Sequence, residues 1–262
     1  VVFGADAVYI GGEAFGLRAK AKNFSMKEME EGIRFAHERG VKVYVTANIL
    51  AHNDDLDGVR KYFEELKAIG PDALIISDPG VFAIAKEVCP AIERHVSTQA
   101  NNTNYGTYLF WYQMGAKRVV SARELSLREL KEIRERIPED MEIETFIHGA
   151  MCTSISGRCI MSNYATNRDA NRGGCAQICR WTFSYSDENN NELSDTYQMC
   201  PKDLNMIENI KDMINVGINS FKIEGRMRSI YYIATVLLSY RKIIDNIKNE
   251  INIGISHKRV TL

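Results

Sequence analysis

Five of the six cysteines of this 262-residue chain fall between positions 152 and 200: Cys152, Cys159, Cys175, Cys179 and Cys200. Clustered thiols are soft ligands suited to zinc or to an iron–sulfur centre. Cys175 and Cys179 form a C-x3-C pair, but six residues separate Cys152 from Cys159 and fifteen separate Cys159 from Cys175. That is loose for a zinc ribbon, whose thiols pair as short knuckles. An iron–sulfur cluster needs four thiolates and tolerates varied spacing, so it is the better match. Five thiols leave one spare, either Cys179 or Cys200. Cys200 is slightly preferred as a ligand because it precedes Pro201, where the chain returns to the main pattern. Cys89, alone on A-I-A-K-E-V-C-P, reads as core packing.

Arg158, Arg168, Arg172 and Arg180 occur among these cysteines, with Tyr164 and Trp181 between them. Arginine interleaved with aromatic residues is the composition of an RNA or phosphate contact surface. The net charge of −1 makes any basic patch local. The apolar fraction of 45% and charged fraction of 26% are those of an ordinary soluble globular protein. No apolar run approaches a membrane span, so no membrane partner is expected. No secretory signal opens the sequence, so a cytoplasmic location is expected, where disulfides are rare. The start at Val1, on the approach to a strand, is expected of a fragment.

The elements that must position these residues alternate in type. Strands are expected at Asp6 to Gly11, Lys42 to Asn48, Asp72 to Ser77, Arg94 to Gln99, Arg118 to Ala122, Glu142 to His148 and Ser220 to Glu224. Helices are expected from Ser25 to Gly40, Asp55 to Ile69, Val81 to Val88, Tyr105 to Met114, Ser126 to Ile137, Leu204 to Val216 and Ile230 to about Lys248. Ser25 with Glu28, and Ser126 with Glu129, carry the capping-box spacing. Alternation implies parallel pairing with right-handed crossovers. Seven such units point to an α/β fold, a TIM-like (β/α) barrel, with the first of its eight strands missing upstream of Val1. An open doubly wound sheet is the runner-up, but the chain has no G-x-G-x-x-G fingerprint. The barrel domain is expected over 1–248, with a cysteine-rich insertion at 151–200. In the tail, 249–262, the run I-N-I-G-I-S is a possible short strand, and the tail is otherwise the start of a further domain.

A barrel places its chemistry at the C-terminal strand ends. Those ends carry Gly11, Gly12, Asn48, Asp78, Gln99, Asn101, Arg123, Glu124, His148, Glu224 and Arg226. His148, Glu224 and Arg226 are the catalytic candidates. Asn48, Gln99 and Arg123 are candidates for holding a small substrate, and Arg158, Arg172 and Arg180 for holding phosphates. The set lacks the paired carboxylates of a glycosidase.

G-A-D-A-V-Y-I-G-G at Gly4 to Gly12 resembles the opening barrel segment of the collagenase-like peptidases, family U32. F-I-H-G-A-M-C-T-S-I-S-G-R-C at Phe146 to Cys159, R-D-A-N-R-G-G-C-A-Q-I-C-R-W at Arg168 to Trp181 and S-F-K-I-E-G-R-M at Ser220 to Met227 are similar to the same family. Within it, the chain most resembles the tRNA uridine 5-hydroxylation branch. The resemblance implies a TIM-like barrel and a 4Fe-4S cluster, with Cys152, Cys159 and Cys175 at the first three ligand positions. It leaves the fourth open between Cys200 and Cys179. It also implies tRNA as partner, prephenate as small-molecule co-substrate and an electron donor. Other relatives implied are rRNA cytidine and oxygen-independent ubiquinone hydroxylases. The family's peptidase name implies proteolysis as the alternative, but the sequence has no H-E-x-x-H and no G-x-S-x-G. A third reading is a non-catalytic scaffold with structural zinc.

Overall fold

Runs such as K-V-Y-V-T-A are apolar on both faces, which suits strands covered on each side. The computed structural model describes residues 1–17, 23–189, 196–226, 228–251 and 259–261, from 250 onward by backbone alone. Its elements in chain order are β1 (Ala7–Gly11), α1 (Met26–His37), β2 (Lys42–Ala47), α2 (Leu56–Ile69), β3 (Ala73–Ile76), α3 (Pro79–Val88), β4 (Glu93–Val96), α4 (Tyr105–Met114), β5 (Arg118–Val120), α5 (Leu127–Arg136), β6 (Glu142–Gly149), α6 (Met161–Thr166), β7 (Leu204–Asn205), α7 (Ile210–Val216), β8 (Ser220–Ile223), α8 (Ile230–Ile251) and β9 (Arg259–Thr261). Parallel pairing runs from β1 through β2, β3, β4, β5, β6 and β8 to β9. β9 pairs back to β1 through Ala7 and Thr261, so the sheet closes on itself.

Two expectations change. The place expected for a strand upstream of Val1 is taken by β9, from the tail. The run I-N-I-G-I-S, named above as a possible strand, lies outside the described residues apart from its first. The helix expected from Leu204 begins only at Ile210, because Leu204–Asn205 forms a short antiparallel pair on the end of β6. Elsewhere the local signals act as written. Both capping boxes form, with Ser25 accepting from Glu28 and Ser126 from Glu129. Gly70 closes α2 in the left-handed conformation (φ +66°). Cys89 is buried at the end of α3, its thiol donating to the Ala85 carbonyl.

Strand alternation sorts the core into two layers. The larger cluster, including Val45, Phe63, Leu74, Phe82, Val119 and Phe221, joins the outer strand face to the helices. Ala7, Tyr9, Tyr44, Ala73 and Ile75 form the inner cluster. Beside it the interior carries a charged group. Arg118 is fully buried; its guanidinium donates to Glu142 (2.8 Å) and to Glu144 (2.9 Å). Glu144 also accepts from Lys222 (2.9 Å) and Ser220 (2.8 Å). Burial raises the Glu144 carboxyl, but Lys222 and Arg118 outweigh it and hold the group below the usual carboxylate range. His95, also buried, hydrogen-bonds Glu93 at 3.1 Å and meets Tyr44 edge-on.

Burial, with Arg118 nearby, pushes the His95 pKa down from 6.5 to about 4. The unfolded chain therefore takes up this proton first as pH falls. His95 contributes stability that is complete above pH 6.5 and is lost as pH falls toward 4. Urea unfolding across that window should show a loss on the order of 3 kcal/mol from this group. His95→Gln should flatten the slope between those pH values, and an unchanged slope would remove His95 as its source.

Candidate functional site at the barrel mouth

Above the C-terminal strand ends lies a cavity of about 460 Å³. Its barrel wall carries Tyr9, Asn48, Gln99 and Arg123, and on the β8 side Lys222, Glu224 and Arg226. Tyr9 donates its hydroxyl to Glu224 Oε2 (3.0 Å). Lys222 Nζ lies 4.5 Å from the centre of the Tyr9 ring and 5.8 Å from that of Phe146. The Arg123 guanidinium covers Phe146 at 4.6 Å. The Arg226 guanidinium donates to Asn23 (2.7 Å) and lies against the end of β1; a Cβ on Gly11 would stand 2.3 Å from its Nη2. Glycine at that strand end is therefore what lets Arg226 reach the mouth.

The opposite wall comes from the chain between β6 and β8. It leaves the sheet at Gly149, where a φ of +109° and the 2.5 Å at which a Cβ would stand from the Glu224 carbonyl oxygen both demand glycine. Polar contacts then fasten it to the loops after β2, β4 and β5. Ser156 donates its N–H (2.6 Å) and hydroxyl to the Glu124 carboxylate. Gln99 donates to the Gly157 carbonyl and Asn101 to that of Ile155. Asn171 brackets Cys159, accepting from its N–H and donating to its carbonyl, each at 3.1 Å. Arg172 makes a two-pronged pair with Asp55 (2.5 and 2.9 Å) and also donates to the Leu50 carbonyl.

This wall brings Cys152, Cys159, Cys175 and Cys179 to the cavity. Cys200 adjoins them, its N–H donating to the Cys179 carbonyl at 2.9 Å. All five thiols are free. Burial pushes the Cys179 thiol up, and the neighbouring Cys152, Cys175 and Cys200 push it further. The thiols thus share one neighbourhood. Among the described residues, however, no three His, Cys, Asp or Glu side chains converge as a single ion requires.

Of the strand-end candidates, Asn48, Gln99, Arg123, Glu224 and Arg226 line the cavity, and Arg180 joins them from the cap. Others take different places. Asp78 caps α3, accepting from Val81. Glu124 and Asn101 hold the cap, and Arg172 is committed to Asp55. Arg158 is exposed, its Nε donating to the Gln99 carbonyl. Gly12 is packed under Tyr62, where a Cβ would meet the hydroxyl at 2.3 Å.

His148 is the main correction. It packs on Tyr240 and Tyr232 of α8 and hydrogen-bonds the Tyr240 hydroxyl (3.3 Å), outside the cavity. The reason is a bulge. Phe146 pairs with Lys222 but His148 pairs with Ile223, so β6 spends one extra residue there. Phe146 and Lys222 face inward; Ile223 faces the outer core, and His148 goes with it. Sequence reasoning missed Tyr9, Phe146 and Lys222. Their signal was a lysine at an inward position of the otherwise apolar strand S-F-K-I, and aromatic residues aligned with it.

Comparison with known proteins gives relatives of high similarity. The model of Peptidase family U32 matches residues 1–259. The chain is 48% identical over 251 residues to "tRNA hydroxylation protein P1" of Bacillus subtilis (strain 168), covering 93% of this chain and 59% of that protein. It is 38% identical over 245 residues to "23S rRNA 5-hydroxycytidine C2501 synthase" of Escherichia coli (strain K12), covering 93% and 37%. It is 36% identical over 254 residues to "Collagenase" of Porphyromonas gingivalis (strain ATCC BAA-308 / W83), covering 92% and 61%. The chain therefore spans less than two thirds of the length of these relatives.

The two walls meet at Gly149, which gives a stability test. Gly149→Ala adds left-handed strain and a clash with the Glu224 carbonyl, and should cost at least about 2 kcal/mol in chemical unfolding. Gly40→Ala, also at positive φ (+69°) but with nothing within 4 Å, should cost only about 1 kcal/mol. Equal losses at the two positions would rule out the steric part.

Proposed function

Because this chain belongs to peptidase family U32 and puts thiols and cations on facing walls of one cavity, we propose that it is an RNA-modifying enzyme, carrying out prephenate-dependent 5-hydroxylation of a tRNA wobble uridine in the cytoplasm. The observation that carries this reading is the cavity itself, with Arg123, Lys222 and Arg226 facing the cysteine wall. The donor set fits a polynuclear cluster. Four soft thiols line one cavity and a fifth, Cys200, adjoins Cys179, a donor set of the kind such a cluster takes. A 4Fe-4S cluster would be held by Cys152, Cys159, Cys175 and Cys200, with Cys179 the alternative fourth ligand. When bound, such a group supplies one-electron transfer, which requires an electron donor.

The chain's own residues bind and orient the small co-substrate. The Arg226 guanidinium stands by β1, and Arg123 follows β5, on the far side of the closed sheet. Two guanidinium groups facing each other across a cavity suit a molecule with two carboxylates, as prephenate has. Lys222, neutralised by Glu144 and lying over Tyr9, fixes the floor between them. Glu224, oriented by the Tyr9 hydroxyl, is placed to accept a proton from a molecule bound there. His148 has no part in this reading, since it faces α8. Proteolysis gains no support from the site: among the described residues no histidine lines the cavity to activate a thiol. Hydroxylation of rRNA cytidine or of ubiquinone are the neighbouring reactions within the family.

Anaerobically purified protein should be brown and contain about four irons per chain. Cys152→Ala should lose the iron and the hydroxylated wobble uridine together, read by nucleoside analysis of tRNA. Arg123→Met and Arg226→Met should keep the iron and raise KM for prephenate roughly tenfold or more. Colourless protein containing zinc, or hydroxyuridine unchanged in Cys152→Ala, would overturn the reading.

A further inference from the structure

Between positions 151 and 186 the chain carries four arginines and one acid, Asp169, while Asp187, Glu188, Glu192 and Asp195 follow before Cys200. The structure divides these arginines into two pairs. Arg172 is bound to Asp55, and Arg168 donates to the Cys175 carbonyl; both hold the cap together. Arg158 and Arg180 are exposed, and Arg180 reaches the cavity rim. Beside them stand two large aromatic side chains in water: Tyr164 is 91% exposed and Trp181 48%. Each is carried on a fixed turn. α6 bears Tyr164 and is tied to the chain beneath Trp181 by the Ala176 N–H, which donates to the Ser162 hydroxyl at 3.0 Å. The Trp181 N–H closes its own turn on the Ile178 carbonyl (2.9 Å).

We infer that this rim binds unpaired RNA bases: Tyr164 and Trp181 each stack on a base splayed out of a single-stranded loop, while Arg158 and Arg180 hold the flanking phosphates. The inference rests on the RNA reading above, whose wobble uridine lies in an unpaired loop, and adds which side chains take the loop's bases. A duplex keeps its base faces against one another and offers a protruding ring nothing to stack on. An open loop offers those faces, and every base has one. Two exposed guanidinium groups in the same segment as exposed aromatic faces suit the phosphates and bases of a single strand. The rim also adjoins the cavity wall, so a base stacked on it stands next to the site that would act on it.

Trp111 is buried and hydrogen-bonded to Asn102, so exposed-tryptophan fluorescence reports on Trp181. The purified chain is titrated with an RNA hairpin carrying an open loop and with a blunt RNA duplex of equal length. The hairpin should quench the fluorescence, and the duplex should not. Read by the anisotropy of end-labelled RNA, Trp181→Ala and Tyr164→Ala should each weaken hairpin binding roughly tenfold and leave duplex binding unchanged, with Trp181→Phe retaining most of the affinity. Arg158→Gln and Arg180→Gln should each lower the salt slope of binding by about one. Unchanged thermal midpoints confirm that the variants fold. Hairpin affinity unaffected by both aromatic variants overturns the loop inference and leaves the RNA reading standing. Absence of any RNA binding overturns both. Self-association of the wild-type chain that Trp181→Ala abolishes assigns the rim to a second copy and overturns the inference.

Discussion

The carboxylate of Glu144 joins Arg118, Ser220 and Lys222 inside the barrel, and the mouth is built on that junction. Burying an arginine and a lysine is costly, and the cost is met only when every charge is paired and hydrogen-bonded. Here Glu144 uses both oxygens, one for Lys222 and the other for Arg118 and Ser220. With its charge matched from below, Lys222 can stand upright between Tyr9 and Phe146 without being drawn out to solvent. Tyr9 in turn holds Glu224, and Phe146 carries Arg123. The catalytic-looking groups at the top are thus held by a stack that begins two residues deeper, in the charged interior. An apolar barrel core would pack as well, but it would not aim a cation at the cavity.

The second constraint is the end of β6. One extra residue after Phe146 turns His148 outward onto α8, and Gly149 then bends the chain under the Glu224 carbonyl. The same bulge that removes a histidine from the cavity starts the cysteine wall over it. Fastening of that wall relies on side chains from three strand-end loops, Gln99, Asn101 and Glu124 among them. Most of their contacts are to backbone groups of the cap. Such contacts fix the path of the chain while leaving the thiols facing inward.

Much of this was legible in the sequence because it is local. Capping boxes, C-terminal glycines and short apolar runs act within a few residues, and they placed most of the expected elements within one or two positions. Five strand-end residues were also legible, because a barrel sends all its strand ends to one mouth. What could not be read is what depends on pairing between distant strands. The bulge at Phe146–His148 exists only against β8, and nothing in F-I-H-G announces it. The commitment of Arg172 to Asp55 spans 117 positions, and spacing alone makes it look like any other loop arginine. The eighth strand was hidden for the same reason, since R-V-T is too short to declare itself without β1 and β8 on either side.

The two walls differ in how they are stiffened, and that difference bears on what each can do. The barrel wall is held by paired charges in a dry interior, where electrostatic positioning is strong and salt-insensitive. It suits the recognition of a small charged molecule, whose groups must meet fixed partners. The cap is held by hydrogen bonds, many of them to its backbone, and by the Arg172–Asp55 ion pair at its edge, with its thiols only half-buried and its aromatic rings in water. It suits a large, adaptable partner at its outer face and soft ligation at its inner one. On the function proposed above, a cavity between a rigid cationic wall and a cap of this kind lets a small anion and an RNA meet from opposite sides. Neither wall alone does so: the barrel end without its cap has cations but no thiols, and the cap without the barrel has thiols but no floor.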